Sequence, residues 1–343
     1  MTINMLGIDI AKSTFQLHGA DCSGKAVYKK RLARSELAAH IANLPACTIV
    51  MEACSGANYW ARVFQGNGHS VKLISPQFVK PFVKTNKNDA NDAEAIVEAA
   101  SRPSMNFVPI KKVEQQDIQS VHRIRTRVVK NRTALINEIR GLCVEYGVVL
   151  RPGAASVKSS LCAAIANSDN ELTPSSRESM QALYEELVDI EARVKNLDSR
   201  IRQLCRQNER CQRILEVPGV GELTATAIVA AVPDPKEFRN GRHMSAWLGL
   251  VPRQSSSGDK RVLLGISKRG DRYLRTLLIH GARAVLSHYK DKDNDYTRWV
   301  GRKKATLSHN KAAVALANKN ARIIWSMLAT GESFNYGEHA TAA

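Results

Sequence analysis

The stretch Met5-Leu6-Gly7-Ile8-Asp9-Ile10 is apolar and rich in β-formers apart from one carboxylate, and it decides how the first hundred residues are read. Such a run predicts a buried strand, and a charge in a buried strand is costly unless something pairs with it. A second run, Cys47-Thr48-Ile49-Val50-Met51-Glu52, ends on another acid. A third segment, from Asp89 to Val97, is helical in composition, and helical spacing sets Asp89 and Asp92 on one face. Asp9, Glu52, Asp89 and Asp92 are therefore candidate metal ligands. Hard divalent cations take carboxylate oxygens, and two ions about 3.5–4 Å apart are a common device for displacement at phosphorus. Each acid also has a plain reading. Asp89 suits a helix N-cap, Asp92 suits any first helical turn, and Glu52 suits a strand end. Asp9 alone also suits a sugar-kinase or actin-like ATPase. Taken together, the four favour a metal site.

Working outward, strands are expected at 5–10, 14–19, 26–32, 47–52 and 70–75, and helices at 35–43, 57–66 and 89–101. Three strands followed by helix–strand repeats match a ribonuclease-H-like α/β layout. The first strand would be central there, with Asp9 beside the strand that carries Glu52. The predicted class is thus α/β plus α, with an N-terminal ribonuclease-H-like domain over 1–108. Residues 109–212 change character. Met180, Leu183, Leu187, Ile190, Val194, Leu197, Ile201 and Leu204 recur at spacings of three and four, a heptad seam. Val121, Ile124, Val128, Asn131, Leu135 and Leu142 form an earlier one. A hairpin within one chain and an oligomerising coiled coil both satisfy the pattern, and the coiled coil is the favoured expectation. Residues 213–334 read as a mostly helical third part, and 335–343 as a disordered tail.

The third part carries two further signals. Val217-Pro218-Gly219-Val220-Gly221 opens a small-residue helix in the manner of a helix-hairpin-helix turn, whose backbone N–H groups hold a phosphate without reading bases. An ordinary helical turn is the competing reading. Gly249-Leu250-Val251-Pro252-Arg253-Gln254-Ser255-Ser256-Ser257-Gly258, with Ser267-Lys268-Arg269-Gly270 after it, puts serines beside cations in a loop. Alone, that is a weak sign of phosphate chemistry.

Composition points to the partner. The 343 residues carry a net charge of +18, with an isoelectric point near 9.8, which implies a polyanion, most simply nucleic acid. The excess is clustered: eight cations against three acids over 111–140, and nine against two over 239–275. No apolar run approaches the ~20 residues of a membrane span. The first residues lack the pattern of a secretion signal. The seven cysteines are scattered without a Cys-x-x-Cys pair, which fits reduced thiols and a cytoplasmic protein.

Several separated motifs, in order, resemble one family. They are Gly7-Ile8-Asp9-Ile10-Ala11-Lys12, Met51-Glu52-Ala53-Cys54-Ser55-Gly56, Lys87-Asn88-Asp89-Ala90-Asn91-Asp92-Ala93, Val217-Pro218-Gly219-Val220-Gly221, Gly249-Leu250-Val251-Pro252-Arg253 and Ile266-Ser267-Lys268-Arg269-Gly270. The chain is similar to the DEDD transposases of bacterial insertion sequences, the bridge-RNA-guided recombinases, with Piv-type DNA invertases as relatives. The resemblance implies that the N-terminal domain is RuvC-like and that Asp9, Glu52, Asp89 and Asp92 bind magnesium, as two ions with manganese as a substitute. It also implies a nucleophilic serine just before a glycine, here Ser257, with Ser255 and Ser256 beside it. Expected partners are donor and target DNA, an element-encoded bridge RNA, and further copies of the chain (a dimer or tetramer through the coiled coil). Expected nucleic-acid contacts are Gly219, Gly221, Arg253, Lys268, Arg269 and Arg272. A RuvC-like resolvase would share the acids but use water as nucleophile, and an invertase would share the chemistry but act on inverted sites.

Overall fold

The computed structural model describes residues 2–84, 89–257, 260–290 and 294–337, and for 89, 90, 256, 257, 260 and 261 the backbone only. It divides into two compact units, Met1–Val113 and Glu114–Ala343.

In the first unit, β1 (Met5–Ile10), β2 (Thr14–Ala20) and β3 (Ala26–Ala33) run antiparallel in sequence. Then come α1 (Arg34–Ala42), β4 (Thr48–Glu52), α2 (Ala57–Gly66), β5 (Ser70–Ile74), the single turn α3 (Pro76–Val79), α4 (Asp89–Ala100) and β6 (Phe107–Val108). The sheet order is β3-β2-β1-β4-β5-β6, so β1 is central and parallel to β4. The expected strands and helices are all present, while α3 and the two-residue edge strand β6 are additions too short to show a period.

Alternation along the strands sorts their side chains between two apolar clusters. Leu6, Ile8, Ile49 and Met51 point to one face and pack with Leu37 and Ile41 of α1 and Trp60 and Phe64 of α2. Trp60 and Phe64 lie one helical turn apart, stacked at 5.6 Å. Val50 and Ile74 point to the other face and pack with Ala95, Ile96 and Ala99 of α4. Gly7 faces α4 as well, since its Cβ would meet Ala93 and Val97.

The second unit is helical. A long hairpin pairs α5 (Val113–Glu145), whose first residue belongs to the first unit, with α7 (Pro174–Arg206) across α6 (Val157–Ala166). Cys143 touches Met180 and Arg125 pairs with Asp198. The two contacts are eighteen residues apart on either helix, which fixes an antiparallel register. The remainder is α8 (Glu209–Ile214), α9 (Glu222–Ala231), α10 (Gly241–Trp247), a hairpin of β7 (Pro252–Ser257) and β8 (Lys260–Ile266), α11 (Arg272–Ser287), α12 (Asp295–Thr306) and α13 (His309–Thr330). Its core gathers α8 to α13, with α9 buried along nearly its whole length.

The hairpin departs from expectation in two ways. Met180, Leu187, Ile190 and Val194 of the α7 seam are buried with Val128, Leu135, Ile139 and Cys143 of α5 and with Val157 and Leu161 of α6. The seam is thus satisfied within one chain, as the hairpin reading of the pattern has it. The inward stripe of α5 also differs from the expected one. Ile124 and Leu142 are 44% and 40% exposed, and Asn131 is exposed. His122 and Arg125 occupy the inward stripe instead, because each finds a polar partner there.

The tail expected to be disordered begins ordered. Tyr336 packs on Tyr296 and its carbonyl accepts the Tyr296 N–H at 3.1 Å, whereas 338–343 lie outside the described residues.

Candidate active site and nucleic-acid interface

Register brings two of the four acids together. Ile8 of β1 pairs with Met51 of β4, so Asp9 and Glu52 are the next residues along two adjacent parallel strands. By alternation both lie on the face that carries Gly7 and Val50, the face covered by α4. The contact of Ala93 with Gly7 places the neighbouring Asp92 over that same strand end. Asp9, Glu52 and Asp92 are all half-buried. Asp89 is the first residue of α4 and its side chain lies outside the described residues.

The electrostatics agree with this convergence. Burial, and after it the Asp92 carboxylate, pushes Glu52 above the usual carboxylate range, with Lys80 acting in the opposite sense. Burial pushes the Cys54 thiol up, and Glu52 and then Asp9 add to it. Cys54 and Lys80 are thus neighbours of the cluster that the sequence reading did not count among the site residues. Cys54 lies only two residues past Glu52, but nothing in the spacing of Lys80 marked it.

Carboxylate oxygens held close enough to repel one another suit a hard divalent cation, which would relieve that repulsion. The residues present therefore fit such an ion in donor chemistry. Among the described residues, no three His, Cys, Asp or Glu side chains already stand close enough to enclose one.

The serine candidates sit on the β7–β8 hairpin. Ser255 is exposed and pairs with Val262, while Ser257 ends β7 opposite Lys260. The side chains of Ser256 and Ser257, and all of Gly258, lie outside the described residues. The base of this hairpin is rigidly specified. Gly249 and Gly270 have φ of +72° and +92°. A Cβ on Gly249 would overlap the Arg269 carbonyl, and one on Gly270 the Trp247 carbonyl, so only glycine serves at either place. Lys268 is left-handed as well, at φ +54°.

Around that base, Arg253, Lys268, Arg269 and Arg272 are all exposed. Arg275, counted with them in the 239–275 excess, is not a surface charge. It is 8% exposed and its Nη1 donates to the Leu248 carbonyl at 3.0 Å, so it holds the loop instead.

The Val217–Gly221 turn divides in two. Gly219, at φ +86°, presses on the backbone of Gly281 in α11 and has a packing duty. Gly221 is exposed at the start of α9, next to the acid Glu222.

A central strand ending in one acid, a parallel neighbour ending in another and a helix bringing a third across the same face are consistent with a ribonuclease-H-like DEDD domain. Comparison with known proteins carries this further. A DEDD transposase model of the IS110 group matches residues 6–147, and a model described as "Transposase IS116/IS110/IS902 family" matches 211–298. The transposase for insertion sequence element IS1111A of Coxiella burnetii is 50% identical, over 98% of this chain and 92% of its own. A probable family 20 transposase of Pseudomonas aeruginosa is 47% identical over 98% of this chain and 100% of its own. The transposase for IS1328 of Yersinia enterocolitica is 37% identical over 97% and 99%. The chain belongs to the IS110/IS116 family of insertion-sequence transposases, enzymes that cleave and rejoin DNA. Its DEDD domain implies use of a divalent metal. No helix among the described residues is long and apolar enough to cross a membrane.

Proposed function

We propose that this transposase cuts and rejoins DNA through a covalent phosphoserine intermediate, with Asp9, Glu52, Asp89 and Asp92 as ligands of magnesium and Ser257 as nucleophile. The observation that supports it most is the placement of Asp9 and Glu52 at adjacent strand ends under the helix that carries Asp92.

A divalent cation held by the four acids would neutralise charge developing on the phosphate oxygens. The serine oxygen–phosphorus bond forms as one backbone P–O bond breaks. The proton lost by the serine hydroxyl balances the one gained by the departing DNA hydroxyl. Because the phosphodiester is exchanged and not hydrolysed, rejoining needs no ATP. Arg253, Lys268, Arg269 and Arg272, exposed around the base of the serine hairpin, would hold the backbone on either side, and Gly221 would offer the start of α9 to a phosphate. A structured RNA from the element would choose donor and target by base pairing, so the basic surfaces need only read backbone and shape.

The test is cleavage of a DNA duplex carrying the element end. The wild type should cut it with magnesium, with manganese as a substitute, and not in EDTA. Asp9→Ala and Asp92→Ala should bind the duplex as tightly as the wild type and cut none of it. Full cutting by Asp9→Ala in EDTA would remove the metal site.

A further inference from the structure

The antiparallel register of α5 and α7 divides the charges of the hairpin unevenly. The proximal half lies against the rest of its unit: Gln115 donates to the Val229 carbonyl and His122 meets Thr226, both in α9. Over 114–130 and 193–206 this half carries nine lysines and arginines against three acids, whereas the distal half, 131–192, carries five against nine. In a chain of net charge +18, half of one hairpin is acidic.

The cations of the two halves are also employed differently. In the distal half, Arg140 donates to the carbonyls of Arg151 and Gly153, Arg177 donates to those of Ala164 and Ile165, and Lys158 pairs with Glu191. Those charges are committed to the fold. In the proximal half only Arg125 has an acidic partner among the described residues, Asp198. Arg123, Arg127, Lys130, Arg193 and Lys195 are exposed.

The exposed side of α7 adds a shape to this excess. Asn196, Ser199, Arg200, Arg202, Gln203 and Arg206 line an open groove of about 540 Å³, with no acid and no apolar residue among them. Arg200 donates to the Gln203 Oε1 at 2.8 Å, which steadies its guanidinium. Three guanidinium groups with amide and hydroxyl donors between them suit phosphate oxygens. The heptad seam hid this side of α7, because the arginines fall on the positions that the seam does not use.

We propose that this α7 groove binds the sugar-phosphate backbone of DNA and that the distal half of the hairpin stays off it. The inference rests on the family's action on DNA, and not on the assignment of the serine or the metal. It adds a binding surface on an element other than the serine hairpin.

The experiment is an anisotropy titration of full-length protein on duplex DNA of the element end, repeated across a salt series. Reversing two exposed charges with R202E/R206E should weaken binding roughly ten- to hundred-fold and lower the log–log salt slope by nearly two. The neutral pair R202Q/R206Q should show the same fall in slope with an unchanged melting temperature, which separates weaker phosphate binding from impaired folding. Glu185→Lys/Glu186→Lys in the distal half should change affinity less than twofold. Unchanged binding by the folded R202E/R206E protein would overturn the inference. So would a distal variant that tightens binding as strongly as the proximal one weakens it, since net charge alone would then be acting. A slope that falls on structured RNA but holds on duplex DNA would overturn the assignment to DNA. If the wild type itself shows no salt-dependent binding, the reading of the enzyme's DNA-binding surfaces fails as a whole. A steep wild type with an unchanged variant sinks only this groove.

Discussion

Gly7 in β1 lies against the backbone of Ala93 in α4, so closely that a Cβ at residue 7 would stand 2.6 Å from the Ala93 carbonyl oxygen and 2.6 Å from a Val97 methyl. Asp9 is two residues beyond the first partner, and Asp92 is one residue before the second. The missing side chain at residue 7 thus sets how near the helix-borne acid can come to the strand-borne one.

Gly7→Ala should force α4 outward. The expected cost is about 1–3 kcal/mol of stability, as for other overpacked sites. Cleavage should fall further than the loss of folded protein explains, because the acids part while DNA-binding surfaces elsewhere survive. Melting temperature, duplex binding and cutting rate measured on one preparation check this. A variant equal to the wild type in all three would mean that the packing of α4 on β1 does not set the site.

His122 supplies a pH dependence. Thr226 donates its hydroxyl to the Glu222 carbonyl at 2.6 Å, so toward His122 it accepts. The ring therefore carries its proton on Nε2 and accepts from Tyr273 at Nδ1, over 2.9 Å. Burial, with Arg125 adding to it, lowers the His122 pKa to about 4, against about 6.5 in an unfolded chain. The unfolded state then binds more protons between those values, so this stability is complete above pH ~6.5 and is lost as pH falls toward 4. The loss is on the order of 3 kcal/mol. Denaturant melts of the wild type and His122→Gln across that range should show the dependence in the first and a flatter line in the second.

The hairpin should depend on its seam within a single chain. Leu187 is fully buried and Ile190 is 8% exposed. Glu at either place sets a carboxylate in the apolar cluster that holds Leu135, Ile139 and Leu161. Leu187→Glu and Ile190→Glu should each cost more than about 3 kcal/mol, visible as a weakened helical signal at the growth temperature. Soluble variants with unchanged melting would show that the seam is not a core.

At the serine hairpin, reversing Arg269 and Arg272 together should weaken DNA binding without preference for sequence. For every phosphate that is no longer neutralised, the log–log salt slope should fall by roughly 0.9. Arg275→Glu should behave otherwise, unfolding the loop below the hairpin, because its guanidinium bonds to the Leu248 carbonyl. Equal effects from all three would place Arg275 with the surface charges after all.

How far the sequence could be read differs between the two units, for physical reasons. In the first, β1 and β4 are set by apolar runs with one acid each, so the position of Asp9 beside Glu52 follows from the motifs. In α5 the period misleads, because His122 and Arg125 turn inward to partners that come from α9, α11 and α7, far away in sequence. Hydrophobicity cannot register a polar residue satisfied by a distant one. Gly249 and Gly270 are readable as turn residues, but their lock on the Arg269 and Trp247 carbonyls is a tertiary contact with no local signal. The order at Tyr336 is of the same kind, since its aromatic partners Tyr296 and Phe334 come together only when α12 and the end of α13 are in place.

The most direct test of the proposed chemistry is to trap the protein on its DNA. Incubating the transposase with a nicked duplex of the element end and magnesium, then denaturing and digesting it, should yield one peptide bearing a nucleotide on Ser257. Ser257→Ala should give no adduct, while Ser255→Ala and Ser256→Ala should still give one. An adduct on a neighbouring serine would move the nucleophile. DNA cut by the wild type with no adduct at any time would make water the nucleophile and contradict the account.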